Sequence, residues 1–525
     1  MKKLLIPCLA LVALALGCNK SNFEQPEIAD HTAEFAFPLF NTELKVSDLV
    51  DNILQENTTG DTIIVNADNT LTLFYSGDVT ESKATDIFQF FADQLPLAVD
   101  SSYFEVPVKT PDGVALYRAD LSGGNIFFVI KNTMTEPIDI RFYIPQLSKN
   151  GQIFEYAFQD IPAGGQATIP AVDLKDWVIN TSNNLITFRY EAFLQDGTPI
   201  LRLPANGGIP AIFGLMQQVT FTYLEGYWGK VEYGLSTETI DIDINQTNLT
   251  GNVQVKNPKV TITVFNSFGF PTRGLIKYLR FVAKNGDLLE LESPLIQEGT
   301  EIGIDFAYPS FAAGEVGQTK ETVFYFDETN SNIAEIFNSE PVQMIYQVNG
   351  LANADDNQTL VGFLTDSSSV RMNVKVELLL EGSLKDFAAD QTLALDFSQF
   401  SDADSPFDEA EFKLVTENTM GLTTNLQVYF LDVNAVAVDS LFSNGPQDVI
   451  KAGPIDPATG ITTGSTRTET FIPFTADRFN RLRKDAKSAY LKTAFTSAND
   501  GTVPVKILAN QSAVVKMGVR VKTKI

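Results

Sequence analysis

Three segments of this chain repeat one short phrase. Residues 126–131 form an apolar run that ends in Asn132-Thr133-Met134, residues 260–265 end in Asn266-Ser267-Phe268, and residues 412–417 end in Asn418-Thr419-Met420. Each is followed by a second run with an aromatic at matching distance: Tyr143 and Tyr429 stand eleven residues after their Asn, and Tyr278 twelve. The starts lie 134 and 152 residues apart, well beyond the roughly 20–50-residue period of a solenoid. An Asn side chain bonds nearby backbone groups and tolerates left-handed geometry. A strand, an Asn and a returning strand therefore read as a hairpin or an inter-sheet corner, and the spacing predicts three domains of one ancestry.

Composition points the same way. Phe occurs 39 times and Tyr 15, against one His and two Trp, and turn residues separate short aromatic and β-branched runs. That pattern suits strands and favours β-sandwiches. Ahead of the repeat, residues 35–40 read as a strand and Ser47 can cap a short helix carrying Leu49, Val50 and Ile53. Residues 62–65 and 70–75 flank the turn signal Asn66-Ala67-Asp68-Asn69 and predict a hairpin. Phe88, Phe91 and Leu95 share one face of a second helix. A helix over 475–487 is expected from Thr475 as cap and a stripe of Phe479, Leu482 and Ala486. The chain closes on a strand with Val515, Met517, Val519, Val521 and Ile525 on one face and Lys516, Arg520, Lys522 and Lys524 on the other.

The N-terminus sets the expected compartment. Met1-Lys2-Lys3 precedes an apolar run over 4–16 and Gly17-Cys18. The run is shorter than the about 20 residues that span a bilayer and reads as a cleaved export signal. Ala15-Leu16-Gly17-Cys18 resembles a lipobox, the signal-peptidase II pattern of bacterial lipoproteins. The resemblance implies a mature chain of 508 residues that begins at an acylated Cys18. Several acyl chains on one cysteine anchor a protein stably, where a single chain holds it marginally. Cys8, the other cysteine, falls in the signal, so the mature chain is expected to fold without a disulfide.

Without its two signal lysines the chain carries a net −29, made of +9 from Arg478 onward and −38 over residues 19–477. Acidity on this scale argues against a nucleic-acid partner. The expected organisation is a signal (1–17), a lipidated tether (18–34), a small α+β unit (35–112) and three β-sandwich repeats (113–245, 246–368 and 369–525).

Gly226-Tyr227-Trp228-Gly229, Asn266-Ser267-Phe268-Gly269-Phe270-Pro271 and Asn330-Ser331-Asn332-Ile333, with Val505-Lys506-Ile507-Leu508-Ala509 and Val515-Lys516-Met517-Gly518-Val519, resemble large uncharacterised lipoproteins of Bacteroidota. The resemblance implies an outer-membrane or surface lipoprotein and transfers no activity and no catalytic residue. No acidic run follows Cys18, so the membrane face, periplasmic or surface, stays open. The Asn corner with its returning strand is similar, more generally, to immunoglobulin-like sandwiches.

Candidate chemistry is sparse. His31 is the only histidine and falls in the tether, so neither a Ser-His-Asp triad nor a His-rich zinc site can be built. Paired carboxylates could support glycoside hydrolysis without histidine, but 65 acids make a pair somewhere inevitable. Asp402-Ala403-Asp404-Ser405-Pro406-Phe407-Asp408-Glu409 offers oxygens at alternate positions, as calcium loops do, but lacks their Gly and closing Glu. Asp355 and Asp356 between Asn353 and Asn357 are a weaker version, and both loops read more readily as solvated. Gly314-Glu315-Val316-Gly317-Gln318-Thr319-Lys320 has the wrong spacing for a phosphate loop. Tyr223, Tyr227 and Trp228 could stack on a sugar, or belong to a core.

Arg478, Arg481, Arg483, Lys484, Lys487 and Lys492 could meet anionic lipid or an acidic partner, or dock on the chain's own acids. The favoured expectation is a non-enzymatic, cofactor-free envelope lipoprotein, acting as a scaffold or accessory subunit of an outer-membrane protein complex. A glycan- or ligand-binding surface protein and a carboxylate-based glycoside hydrolase are the alternatives.

Overall fold

The computed structural model describes residues 32–46, 61–87, 103–110, 112–182, 184–200, 211–242, 252–297, 299–395 and 407–524. These are mainly β. Strands β1 (Thr32–Lys45), β2 (Asp61–Val65) and β3 (Leu71–Lys83) come first. A first sandwich follows: β4 (Tyr103–Pro107), β5 (Val114–Lys131), β6 (Ile138–Lys149), β7 (Gln152–Ile161), β8 (Gln166–Asp173), β9 (Val178–Asn180), β10 (Leu185–Leu194) and β11 (Ala211–Trp228).

The second region runs through β12 (Val231–Asp241), β13 (Asn252–Val255), β14 (Lys259–Asn266), β15 (Thr272–Ala283), β16 (Leu288–Glu290), β17 (Ile304–Phe306), β18 (Lys320–Phe326), β19 (Pro341–Ala352), β20 (Val361–Thr365) and β21 (Ser369–Leu379). The third has β22 (Glu381–Lys385), β23 (Phe387–Ala394), β24 (Glu409–Asn418), β25 (Leu422–Leu431), β26 (Ala437–Ser440), β27 (Gln447–Ile450), β28 (Thr466–Phe474), β29 (Ser488–Ser497), β30 (Val505–Lys506) and β31 (Ser512–Lys524).

One pairing scheme recurs three times, antiparallel throughout. The strand that runs into the asparagine (β5, β14, β24) lies between β8, β18 or β28 on one side and the last strand, β11, β21 or β31, on the other. The returning strand (β6, β15, β25) pairs with the hairpin strand after it and with β10, β19 or β29. That partner in turn takes β4, β12 or β23. In the first sandwich β9 bridges the two layers by bonding both β5 and β6.

The expectation of tandem sandwiches therefore holds, and the strand order refines it. An immunoglobulin domain places its last strand beside the sixth; here the last strand lies beside the one that carries the asparagine, and an eighth strand is added outside it. That is the order of a jelly roll, two interleaved Greek keys.

The eighth strands correct one expected unit. β1 adds to β31, with Thr32 opposite Lys524, and β3 adds to β21, with Tyr75 opposite Val376. β4 adds to β10, and β20 completes the first sandwich by pairing with β11. The described strands of residues 35–112 are thus shared among three sandwiches. A lone strand leaves its backbone groups unpaired, and the open edge of a distant sheet satisfies them as well as a neighbour in sequence does. The described residues fall into two compact units: one holds those up to Val46, Asn252 and those from Ser383 onward, and the other holds the rest.

The hairpin forms as expected, β2 against β3, with Asn69 at φ 64° and Asn66 donating to the Thr70 and Thr72 hydroxyls at 2.9 Å. The helices expected near Ser47 and over Phe88, Phe91 and Leu95 lie outside the described residues, apart from one turn at Ala84–Ile87. Phenylalanines fill the cores. Phe128 meets Phe142 at 4.4 Å in the first sandwich, and Phe412 meets Phe474 at 4.7 Å and Phe430 at 5.7 Å in the third. Each ring so buried contributes on the order of 2–3 kcal/mol.

Candidate functional site

The three asparagines behave as one device. Each is fully buried, and each Oδ1 accepts the backbone N–H two residues on, from Met134, Phe268 and Met420, at 2.9 Å in every case. The amide nitrogens donate outward. Asn132 reaches the Glu136, Ile161 and Pro162 carbonyls, Asn266 the Ala307 carbonyl, and Asn418 the Leu422 and Lys451 carbonyls. A buried carbonyl without a partner is costly, so these side chains stitch the corner between two layers. Tyr143, Tyr278 and Tyr429 stand on the returning strands, as the spacing predicts.

The basic segment divides into two sets. The helix Ala476–Asp485 starts at Thr475, whose hydroxyl accepts from the Arg478 N–H, and buries Phe479 and Leu482. Ala486 is buried beyond it. Arg478 lies 3.9 Å above the Phe474 ring and donates to Asp439 at 2.7 and 3.2 Å and to the Ser440 carbonyl at 2.8 Å. Burial pulls the Asp439 carboxyl upward, but the Arg478 hydrogen bond, the Ser440 N–H and the Arg478 charge outweigh it and hold it below the usual carboxylate range. Arg483 is 7% exposed, donates to the Asn480 side chain and covers the Phe407 ring. Arg483 is buried, which corrects its assignment as a partner-binding group, while Arg478, 25% exposed, is engaged within the chain. Arg481, Lys484, Lys487 and Lys492 are exposed.

Two cations on the outer face of β31 are matched by acids on its neighbours. Lys522 meets Glu409 at 2.7 Å, and Arg520 bridges Glu34 at 2.9 Å and Glu411 at 2.7 Å. Val515, Met517, Val519 and Val521 are buried on the other face.

The aromatic candidates belong largely to the core. Trp228 is 2% exposed and stacks on Phe270 at 4.2 Å, so it has no face for a sugar; Tyr227 is half-buried. The glycines around them serve close packing, since a Cβ at Gly226 would meet the Ala115 carbonyl and one at Gly229 that of Gly113. Tyr223 donates to Glu225 at 2.9 Å, and burial first, then that carboxylate, pushes its hydroxyl far above its ordinary pKa.

The acidic loop at residues 353–357 is held from within. Asn353 closes its loop on Asn357 through both side-chain atoms, while Asp355 lies 3.5 Å from Arg273. In the glycine loop, Glu315 accepts from the Ser310 N–H and pairs with Lys320 at 2.7 Å. Among the described residues no three His, Cys, Asp or Glu side chains are placed to share a metal ion. Residues 402–406, Cys18 and His31 lie outside the described residues.

Two cavities occur in the second sandwich. One is an apolar void of about 40 Å³ between its layers, lined by Ile262, Phe281, Phe326 and Tyr346 among others, and is a packing gap. The other is an open cleft of about 560 Å³ whose lining includes Lys277, Glu290, Glu292, Ser331 and Asn332. Asn332 is committed to the Glu290 carbonyl and the Glu292 N–H, and no aromatic lines the cleft.

Sequence reading passed over one surface feature. The turn between β25 and β26 exposes Val433 (81%) and Val436 (59%). Its signal was an apolar pair inside a turn that Asp432 and Asn434 otherwise specify.

No family model matches this chain, and no curated protein matches it. Among solved structures it is similar to a protein of Parabacteroides distasonis assigned as secreted, at 11% identity and a TM-score of 0.31 over 93% of this chain and 99% of that one. The infectious bursal disease virus Gx strain structure gives 9% and 0.15 over 91% and 84%. An archaeal virus structure described as a triple jelly roll gives 10% and 0.11 over 89% and 97%. Similarity at this level carries no inference about fold or function. No helix among the described residues is long and apolar enough to cross a membrane.

Proposed function

We propose that this chain is a lipid-anchored envelope lipoprotein whose tandem sandwiches act, without catalysis, as a scaffold or accessory subunit of an outer-membrane complex. The observation that carries the reading is the use made of the groups that looked chemical. Arg478, Arg483 and Trp228 spend their polar atoms or ring faces on neighbours within the chain.

Outward-facing apolar groups support a protein partner. On β18, an edge strand, Val323 (55%) and Tyr325 (45%) stand in solvent while Phe326 on the other face is fully buried. An open edge with apolar side chains is the kind of surface that a second chain covers. The anchor rests on the lipobox at Cys18.

Affinity capture from detergent-solubilised membranes tests the proposal. A stoichiometric partner whose recovery falls when Val323 and Tyr325 become Lys is the expected result. Repeated recovery of the chain alone, with a glycan array raising its melting temperature, would favour the ligand-binding alternative instead.

A further inference from the structure

Strand registers in the C-terminal sandwich bring three separate features to one end. β1 enters there, with Thr32 opposite Lys524 of β31. β24 begins there, Glu409 opposite Lys522, and β28 finishes there, Phe474 opposite Ala410. The helix Ala476–Asp485 follows β28 directly and leads into β29, whose Ser488 lies opposite Leu431 at the close of β25. The Lys487 N–H donates to the Leu431 carbonyl at 2.7 Å. The turn with exposed Val433 and Val436, the exposed Arg481, Lys484 and Lys487, and Thr32, the first described residue, therefore share this end.

Several of the described acids here are occupied, and Asp408 is exposed beside Glu409. Asp439 is taken by Arg478, Asp432 accepts from the N–H groups of Asn434 and Val436, and Glu409 pairs with Lys522. Asp477 and Asp485 remain exposed on the helix. Only thirteen residues lie between Cys18 and Thr32, a reach of at most roughly 50 Å when fully extended.

We propose that this end of the C-terminal sandwich rests on the membrane surface, with Val433 and Val436 at headgroup depth and Arg481, Lys484 and Lys487 against lipid phosphates. The inference rests on Cys18 being the acylated residue. Exposed aliphatics beside cations bind an interface through apolar burial and attraction to anionic lipid together. The tether holds them near enough for both to act. The lipid anchor thus leads directly into the last sandwich, because the first described strand, β1, completes that sandwich.

The mature chain has no cysteine besides Cys18, so Val433→Cys provides one free thiol for an environment-sensitive fluorophore. Ala458→Cys is the control. It is exposed on a loop at the opposite end, where Gly453 N–H donates to the Met420 carbonyl beside the Asn418 corner. The full lipidated chain is reconstituted in phosphatidylglycerol–phosphatidylcholine vesicles carrying a headgroup-depth quencher. Quenching at residue 433 is expected to exceed that at 458 at least threefold. Equal quenching, or more at 458, overturns the proposal while the anchor stands. Mass spectrometry of the N-terminal peptide separates the other failure: an unacylated Cys18 removes the anchor and this orientation with it.

Discussion

The two ends of β25 solve one problem in different ways. At one end the chain crosses between layers at Asn418, fully buried, which accepts from Met420 N–H at 2.9 Å and donates to the Leu422 and Lys451 carbonyls at 2.7 and 3.0 Å. At the other, Asp432 accepts from the N–H groups of Asn434 and Val436 at 2.8 and 2.9 Å and stays partly open to solvent. Both use a side-chain oxygen to hold a turn. A carboxylate can only accept, whereas an amide also donates. The buried corner must satisfy carbonyls that no water reaches, so it takes Asn, as do the corners at 132 and 266. The exposed turn leaves those duties to solvent.

Asn418→Ala should break the comparison most severely. It strands one N–H and two carbonyls in the interior, and a loss of about 3 kcal/mol is expected for the C-terminal sandwich. Hydrogen exchange of β24 and β25 amides reads that sandwich by itself, which global melting of a multidomain chain would not. Asn418→Asp sharpens the test, because it keeps the acceptor and loses the donor. A variant as stable as the parent would mean that the donations to Leu422 and Lys451 do not matter.

Arg478→Ala should come next, at about 2 kcal/mol, because it leaves Asp439 largely buried without its main partner. Arg481, exposed and 3.5 Å from the same carboxylate, should change stability by less than about 0.5 kcal/mol when replaced. The pair also fixes a pH dependence. With its folded-state pKa below the unfolded value of about 4, Asp439 stabilises the fold above that value, and the contribution is lost as pH falls through the folded pKa. The gap between parent and Arg478→Ala should narrow in acid; a gap that stays constant from neutral pH to strong acid would assign Arg478 a packing role alone.

Ala435 offers a smaller effect of opposite sign. It holds φ at 60°, in the left-handed region that a Cβ disfavours. Ala435→Gly should stabilise the turn by about 0.5–1 kcal/mol, and no comparable gain is available at the corner. A destabilised glycine variant, measured by the same amide exchange on β25 and β26, would contradict this account of the turn.

What could be read in the sequence divides along the same line. The Asn corners, the strands on either side, the Thr475-capped helix and the alternation of β31 were legible, because each is encoded within a dozen residues by period, cap or turn chemistry. The destination of β1, β3 and β20 was not, since an edge strand joins whichever sheet leaves room and its own residues do not name that sheet. The candidate site failed for a related reason. Arg478 and Arg483 look alike with Arg481 in a string of letters, and only the Asp439 and Phe407 that they meet turn two of them inward. Tyr227 and Trp228 likewise offered a stacking surface, but the glycines flanking them admit the Ala115 and Gly113 carbonyls and the tryptophan packs on Phe270.

The weakest expected effect on stability is the one that separates fold from surface. Val433 and Val436 are mostly exposed and the turn around them is set by Asp432, so replacing both with Ser removes little buried area. The change in stability should stay within about 0.5 kcal/mol. At the corner, by contrast, the apolar neighbour Met420 is 1% exposed, and Met420→Ser should cost several times more, about 2–4 kcal/mol. If the valine pair proved as costly as the methionine, the turn would be part of the core rather than a surface, and its apolar character would need no partner outside the chain.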